Sequence, residues 1–249
     1  MKKLIALILI LCLTVPAALA AEWEWVEEPV PVDVPILSGV KIGIDPGHQA
    51  KANSEREPVA PGSSEKKAKV ASGTSGVATK TPEYVRDLEI SLKLRDALEA
   101  AGAEVYMTRE TNEVNISNME RALMMNDLGV DLVLRIHCNG STDKSVHGTG
   151  LYITKTGDIA AESLVAAEAL LPAMIAATGA RRCGIFKRDT YTGMNWSTVP
   201  CILVEMGYMT NYDEDLRLAD PDYQQKLVDG MVQGIIDYIN IRDAQDIAE

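Results

Sequence analysis

Two of the chain's three histidines close short apolar runs. His48 ends Ile42-Gly-Ile-Asp-Pro-Gly-His48, and His137 ends Asp131-Leu-Val-Leu-Arg-Ile-His137. A third run, Pro200-Cys-Ile-Leu-Val-Glu205, ends in a glutamate in the same way. Imidazole is a natural zinc ligand, and a carboxylate can bind a metal or move a proton. Apolar runs this short read as buried strands. In an open α/β sheet, residues just past the carboxyl ends of the strands meet in one crevice. Two imidazoles and a carboxylate gathered there point to metal-dependent hydrolysis.

Zinc hydrolases use three protein ligands and keep a fourth position for water. Beyond His48 and His137, the third ligand is open among Glu55, Glu57, Glu65, Glu83 and Glu89. Glu205 ends an apolar strand, where an unpaired buried charge is costly. Either it faces a dication and a water, or the strand has already reached solvent. His147 lies in a Ser/Asp/Gly-rich turn, Ser141–Gly148, and reads as a loop histidine.

The elements that must position these groups alternate along the chain. Strands are expected at Val40–Ile44, Glu104–Thr108, Asp131–Ile136, Gly150–Thr154 and Cys201–Val204. Helices are expected at Glu83–Ala101, Ile116–Leu128, Ile159–Thr178 and Tyr223–Ile239. This alternation implies one α/β domain, a mostly parallel twisted sheet with helices on both faces. The helix from Glu83 has a clear start: Thr81 can cap it, Pro82 fits the first turn, and the dipole favours Glu83 there. Ile90, Leu94, Ala97, Leu98 and Ala101 repeat at helical spacing and form its buried stripe. Between His48 and this helix lie the 32 residues Gln49–Lys80, rich in Ser, Gly, Lys and Glu. A loop of that length is functional or mobile; leaving from His48, it reads as a wall or lid of the crevice.

Residues 1–20 have the form of a secretory signal: Lys2 and Lys3, the apolar Leu4–Val15, then Ala18-Leu-Ala20. Cleavage leaves about 229 residues, enough for one packed domain, with no membrane span expected in the exported chain. Residues 21–39, rich in acid, Trp and Pro, read as a linker, 40–241 as the catalytic domain and 242–249 as a tail. The formal net charge is −12, and −14 once Lys2 and Lys3 leave with the signal. Such a field does not draw the chain to nucleic acid or anionic lipid. Cys138 and Cys201 fall at apolar strand positions and read as small core hydrophobes. The spacing gives no support to a Cys183–Cys201 bridge.

Four segments together resemble one family. Asp45-Pro-Gly-His48, Glu83 followed by Asp87-Leu-Glu-Ile-Ser-Leu-Lys-Leu94, Arg135-Ile-His-Cys-Asn139 and Val199-Pro-Cys-Ile-Leu-Val-Glu-Met-Gly-Tyr-Met-Thr-Asn211 occur in that order. They resemble the zinc-dependent N-acetylmuramoyl-L-alanine amidases of the Amidase_3 class, over about Val40 to Ile239. Arg109, Arg121 and Asn126 also match family positions. The resemblance implies one zinc per chain, held by His48, Glu83 and His137, with Glu205 as the catalytic acid–base. It implies cleavage of the amide between N-acetylmuramic acid and the L-alanine of the peptidoglycan stem peptide. Asn139, Asn195 and Trp196 are the expected substrate contacts. Three positions depart from the family pattern: Gln49-Ala50 replaces the usual glycines, Tyr84 the lysine, and Asp87 the asparagine. A non-catalytic wall-binding protein of the same fold and a zinc peptidase cutting within the stem peptide are the competing readings.

Overall fold

The computed structural model describes residues 35–246. The expected signal segment and most of the linker lie outside the described residues. Elements follow in the order β1 (Lys41–Pro46), β2 (Asn53–Pro58), β3 (Lys66–Val70), α1 (Glu83–Ala100), β4 (Glu104–Met107), α2 (Asn118–Leu128) and β5 (Leu132–Asn139). Then come β6 (Thr149–Thr154), α3 (Ala160–Thr178), β7 (Arg182–Arg188), α4 (Thr192–Asn195), β8 (Cys201–Tyr208), α5 (Tyr212–Ala219) and α6 (Pro221–Asp246).

Six strands form one sheet in the order β4-β1-β5-β8-β6-β7, and β2 with β3 form a separate hairpin. Four of the five pairings in the sheet are parallel; only β6 against β8 is antiparallel. This is the expected α/β architecture. One sheet face carries Ile42, Ile44, Leu134, Ile136 and Val204 and meets Ile90, Leu94 and Leu98 of α1, Leu170 and Leu171 of α3, and Met231 and Ile235 of α6. The alternation of a strand puts Val133, Cys201 and Leu203 on the opposite face, against Met125 of α2 and Met194 of α4. Cys138 and Cys201 are both buried and, like Cys183, free.

Helix ends follow local chemistry. Ser117 and Glu120 form a reciprocal capping box at α2, and Gly129 closes that helix in the left-handed region. α1 differs from expectation: its N-cap is Pro82, with no side-chain cap. Thr81 does not cap because the Glu83 amide is taken by the Thr74 carbonyl at 2.9 Å. α3 is the described helix long and apolar enough to cross a membrane. Its Ala167, Leu170, Leu171 and Met174 are packed into the core.

The packed domain is longer than 40–241. Leu37, inside the expected linker, is fully buried, and its amide donates to Ala101 O. At the other end α6 runs through the expected tail to Asp246, and Arg242 pairs with Asp131 at 2.6 Å.

The stretch from Gln49 to Lys80 is not a structureless loop. Its β2–β3 hairpin is bonded to α2 and to the α4 segment. Glu57 Oε1 accepts from the Met119 amide, Asn118 donates to Lys69 O, and Trp196 Nε1 donates to Pro58 O at 2.9 Å. Low apolar content hid these strands, since they are anchored by hydrogen bonds more than by buried side chains.

Candidate metal centre

The polar face of the central sheet holds a fixed charge network next to the site. Asp45 pairs with Arg121 at 2.8 Å and Arg135 at 2.9 Å, and accepts from Thr108 Oγ1 at 2.6 Å. Burial opposes ionisation of Asp45, but the two guanidiniums outweigh it and hold the carboxyl well below its ordinary range. Arg109 and Arg121 then bind the carbonyls that follow. Pro46 O accepts from both, Gly47 O from Arg109 at 2.7 Å and His48 O from Arg121 at 2.9 Å. These bonds fix His48 in the left-handed region, at φ 55°, uncommon for a residue with a side chain. Gly47 leaves room beside it: a Cβ there would stand 2.4 Å from the His137 ring and 2.7 Å from Asp87 Oδ2.

His48, Glu83 and His137 bring one ligand atom each within 4.8 Å of one another. Glu83 Oε1 lies 3.1 Å from His48 Nε2 and 3.1 Å from His137 Nδ1. His48 and Glu83 are oriented from behind. His48 Nδ1 donates to Ala71 O at 2.8 Å; a carbonyl can only accept, so Nε2 presents its lone pair to the centre. Glu83 Oε2 accepts from the Thr74 amide at 2.7 Å. Burial works against the Glu83 charge, yet the two histidines prevail and keep it well below the ordinary carboxylate range. His137 is pushed down to about 4, chiefly by burial, with Glu83 opposing. An ionised carboxylate between neutral imidazoles is a zinc donor set, and these residues fit that ion.

Glu205 sits beside them. It pairs with His137 across β5 and β8, so the two side chains share a sheet face. Its Oε2 is closed from solvent and has no hydrogen-bond partner among the described residues. Burial first, and then the Glu83 charge, push its carboxyl up to about 8. This value lies where a general base and acid works best.

Strand ends place the site less tightly than the apolar runs imply. β5 continues to Asn139 and β8 to Tyr208. His137 and Glu205 therefore lie within strands, and only His48 lies past its strand end. The centre opens into a cavity of about 680 Å³ lined by His48, Glu83, His137, Asn139, Tyr191 and Glu205 among others. Asn139, an expected contact, lines it. Asn195 and Trp196 do not. Asn195 donates to Val59 O and Asp189 O, and the Trp196 indole to Pro58 O, so both are spent on holding the hairpin. These bonds make both residues anchors for the cleft wall.

Other expected residues also find places. Cys138 points to the apolar face, and burial drives its thiol well above the ordinary range, so it is no nucleophile. His147 is a loop residue whose Nδ1 bonds Ser145 O. Among the competing acids, Glu55 pairs with Lys69 and Glu89 with Arg86, Glu57 caps α2, and Glu65 is exposed. The departures have local explanations too. Gln49 is buried and accepts from the Ile116 amide and Arg121. Asp87 is fully buried. Burial and the Glu83 charge raise its carboxyl well above the ordinary range, toward the neutral form that an asparagine has.

Sequence and structure comparisons agree on the relationship. The model of the family described as Amidase_3, N-acetylmuramoyl-L-alanine amidase, matches residues 42–237. The chain is 27% identical over 215 residues to N-acetylmuramoyl-L-alanine amidase Rv3717 of Mycobacterium tuberculosis, covering 82% of this chain and 88% of that one. It is 29% identical over 152 residues to the amidase LytC of Bacillus subtilis, covering 61% of this chain and 30% of LytC. Among solved structures, the amidase Ami1 of Mycobacterium smegmatis superposes with a TM-score of 0.76 at 24% identity, covering 82% of this chain and 99% of that one. Ami1 of Mycobacterium abscessus gives 0.75 at 26%, covering 81% and 99%. The chain belongs to the Amidase_3 family, the N-acetylmuramoyl-L-alanine amidases.

Proposed function

We propose that this chain is a peptidoglycan hydrolase of the cell envelope, which uses one zinc ion to hydrolyse the amide between N-acetylmuramic acid and the L-alanine of the stem peptide. The observation that carries the reading is the convergence of His48, Glu83 and His137 beside Glu205, whose Oε2 is closed from solvent. When bound by the three ligands, zinc supplies the Lewis acidity that makes water nucleophilic near neutral pH and polarises a carbonyl. His48 and His137 bind as neutral imidazoles, the first held in its tautomer by Ala71 O. Glu83 binds as the anion and is kept in place by the Thr74 amide. Glu205 Oε2 takes the proton of the attacking water and returns it to the departing nitrogen of L-alanine. Asn139 lines the same cavity as Glu205. The signal segment expected in residues 1–20 would carry the domain out of the cell to this substrate.

Mass spectrometry of muropeptides treated with the purified protein tests the reading. The expected products are lactyl-free stem peptides with a new N-terminal L-alanine, absent when a chelator is added. A new N-terminus at any later residue would identify a stem-peptide endopeptidase instead. Retention on sacculi without new amines would identify a wall-binding protein.

A further inference from the structure

The cavity wall made by the β2–β3 hairpin carries Arg56 and Lys67. Leaving aside the histidines, Glu83 and Glu205, the only other charged residue lining the cavity is Arg135, which is committed to Asp45 and to Asn118. Arg56 and Lys67 have no such commitment. Neither pairs with a carboxylate among the described residues. Lys67 Nζ is held by a neutral carbonyl, Thr190 O, at 2.7 Å, and the Arg56 guanidinium donates to Lys66 O. In a chain with 36 acidic and 24 basic residues, these two cations without acid partners both line the cavity that holds the metal centre. Both keep N–H donors free for an anion.

The wall is fixed to the domain, which makes its charges a positioned feature. Glu57, Pro58, Val59 and Lys69 of the hairpin region each bond to α2 or to the α4 segment. The same strand leads to the metal centre: β3 ends at Val70, and the next carbonyl, Ala71 O, receives His48 Nδ1. Four residues of extended chain separate Lys67 from Ala71, about 13 Å at the rise of a strand. An extended peptide leaving the scissile bond along this wall places its first four residues within that distance.

We infer that Arg56 and Lys67 form an anion subsite that reads a free carboxylate on the stem peptide, two to four residues beyond the amide that is cut. This rests on the amidase reading above. The subsite makes the enzyme selective for acidic stem peptides over those whose carboxylates are amidated.

The test compares an N-acetylmuramoyl tripeptide bearing its free carboxylates with the same compound converted to carboxamides. The full chain is expected to cleave the acidic form with the higher kcat/KM, and the ratio should fall as salt is raised. Arg56→Gln and Lys67→Gln should each shrink that ratio about threefold to tenfold. Lys66→Gln, an exposed neighbour outside the cavity, should keep it. A general structural defect would lower both rates and leave the ratio unchanged. Equal kcat/KM for the two forms in the unmodified protein, or a ratio untouched by both cleft variants, would overturn the subsite while leaving the amidase reading intact. No new N-terminal L-alanine from either form would refute the amidase reading, and the subsite with it.

Discussion

His137 of β5 and Glu205 of β8 stand opposite each other in the parallel register, on the same face of the sheet. The proton-moving group is thus carried on a rigid strand next to a metal ligand, and its separation from that ligand is set by backbone hydrogen bonds. The Glu205 carboxyl pays for this location in desolvation, and several measurable consequences follow from its neighbours.

Glu205 should govern how the metal-free protein responds to pH. Its folded carboxyl is raised from 4.5 to about 8. The neutral form is therefore favoured in the fold: its contribution is whole below 4.5 and is lost as pH climbs to 8. Glu205→Gln keeps a neutral group at all pH. In urea unfolding after chelation, the variant should gain on the unmodified protein between pH 5 and 8, by at most about 1.4 kcal/mol per pH unit. A difference that stays flat over this window would contradict the assignment.

Asp45 carries the opposite sign. Its carboxyl is depressed from 3.8, so its ion pairs contribute above that value and the contribution is lost as pH falls below it. Asp45→Asn leaves Arg121 and Arg135 buried without their counter-charge, which should cost about 3–5 kcal/mol near neutral pH. The gap should narrow in acid. Denaturant melts at pH 7 and pH 3 measure both.

Trp196→Phe keeps a ring but deletes the indole donor to Pro58 O. The expected loss is about 1 kcal/mol, with faster amide exchange across 53–70 than in the central sheet. Hydrogen-exchange mass spectrometry reads this directly; unchanged protection in the hairpin would show that the bond does not anchor it.

Much of this arrangement was legible in the sequence. Apolar runs give β1, β5 and β8 because their side chains are buried on both faces, and the Ile90–Leu98 stripe gives α1. The same signal fails for β2 and β3, which are rich in charge and are anchored by hydrogen bonds. It also fails for β7, an edge strand with half-buried residues. For the site, His48, His137 and Glu205 were visible as polar ends of apolar runs. Glu83 was not, because its position depends on the Thr74 and Cys138 amides brought in from distant segments. Its assignment came from resemblance, and geometry then gave it two histidine neighbours. The backbone bonds of Asn195 and Trp196 leave no sequence signal, because a polar segment before a strand looks alike whether it meets substrate or backbone.

The division of labour between Glu83 and Glu205 is the most exposed part of this mechanism, and one paired measurement addresses it. Zinc content by atomic spectroscopy and L-alanine release from muropeptides are measured on the same preparations of Glu83→Gln and Glu205→Gln. Glu205→Gln should hold about one zinc per chain while hydrolysis falls by 10²-fold or more, and Glu83→Gln should lose both metal and hydrolysis. Wild-type zinc affinity in Glu83→Gln, or retained hydrolysis in Glu205→Gln, would contradict it.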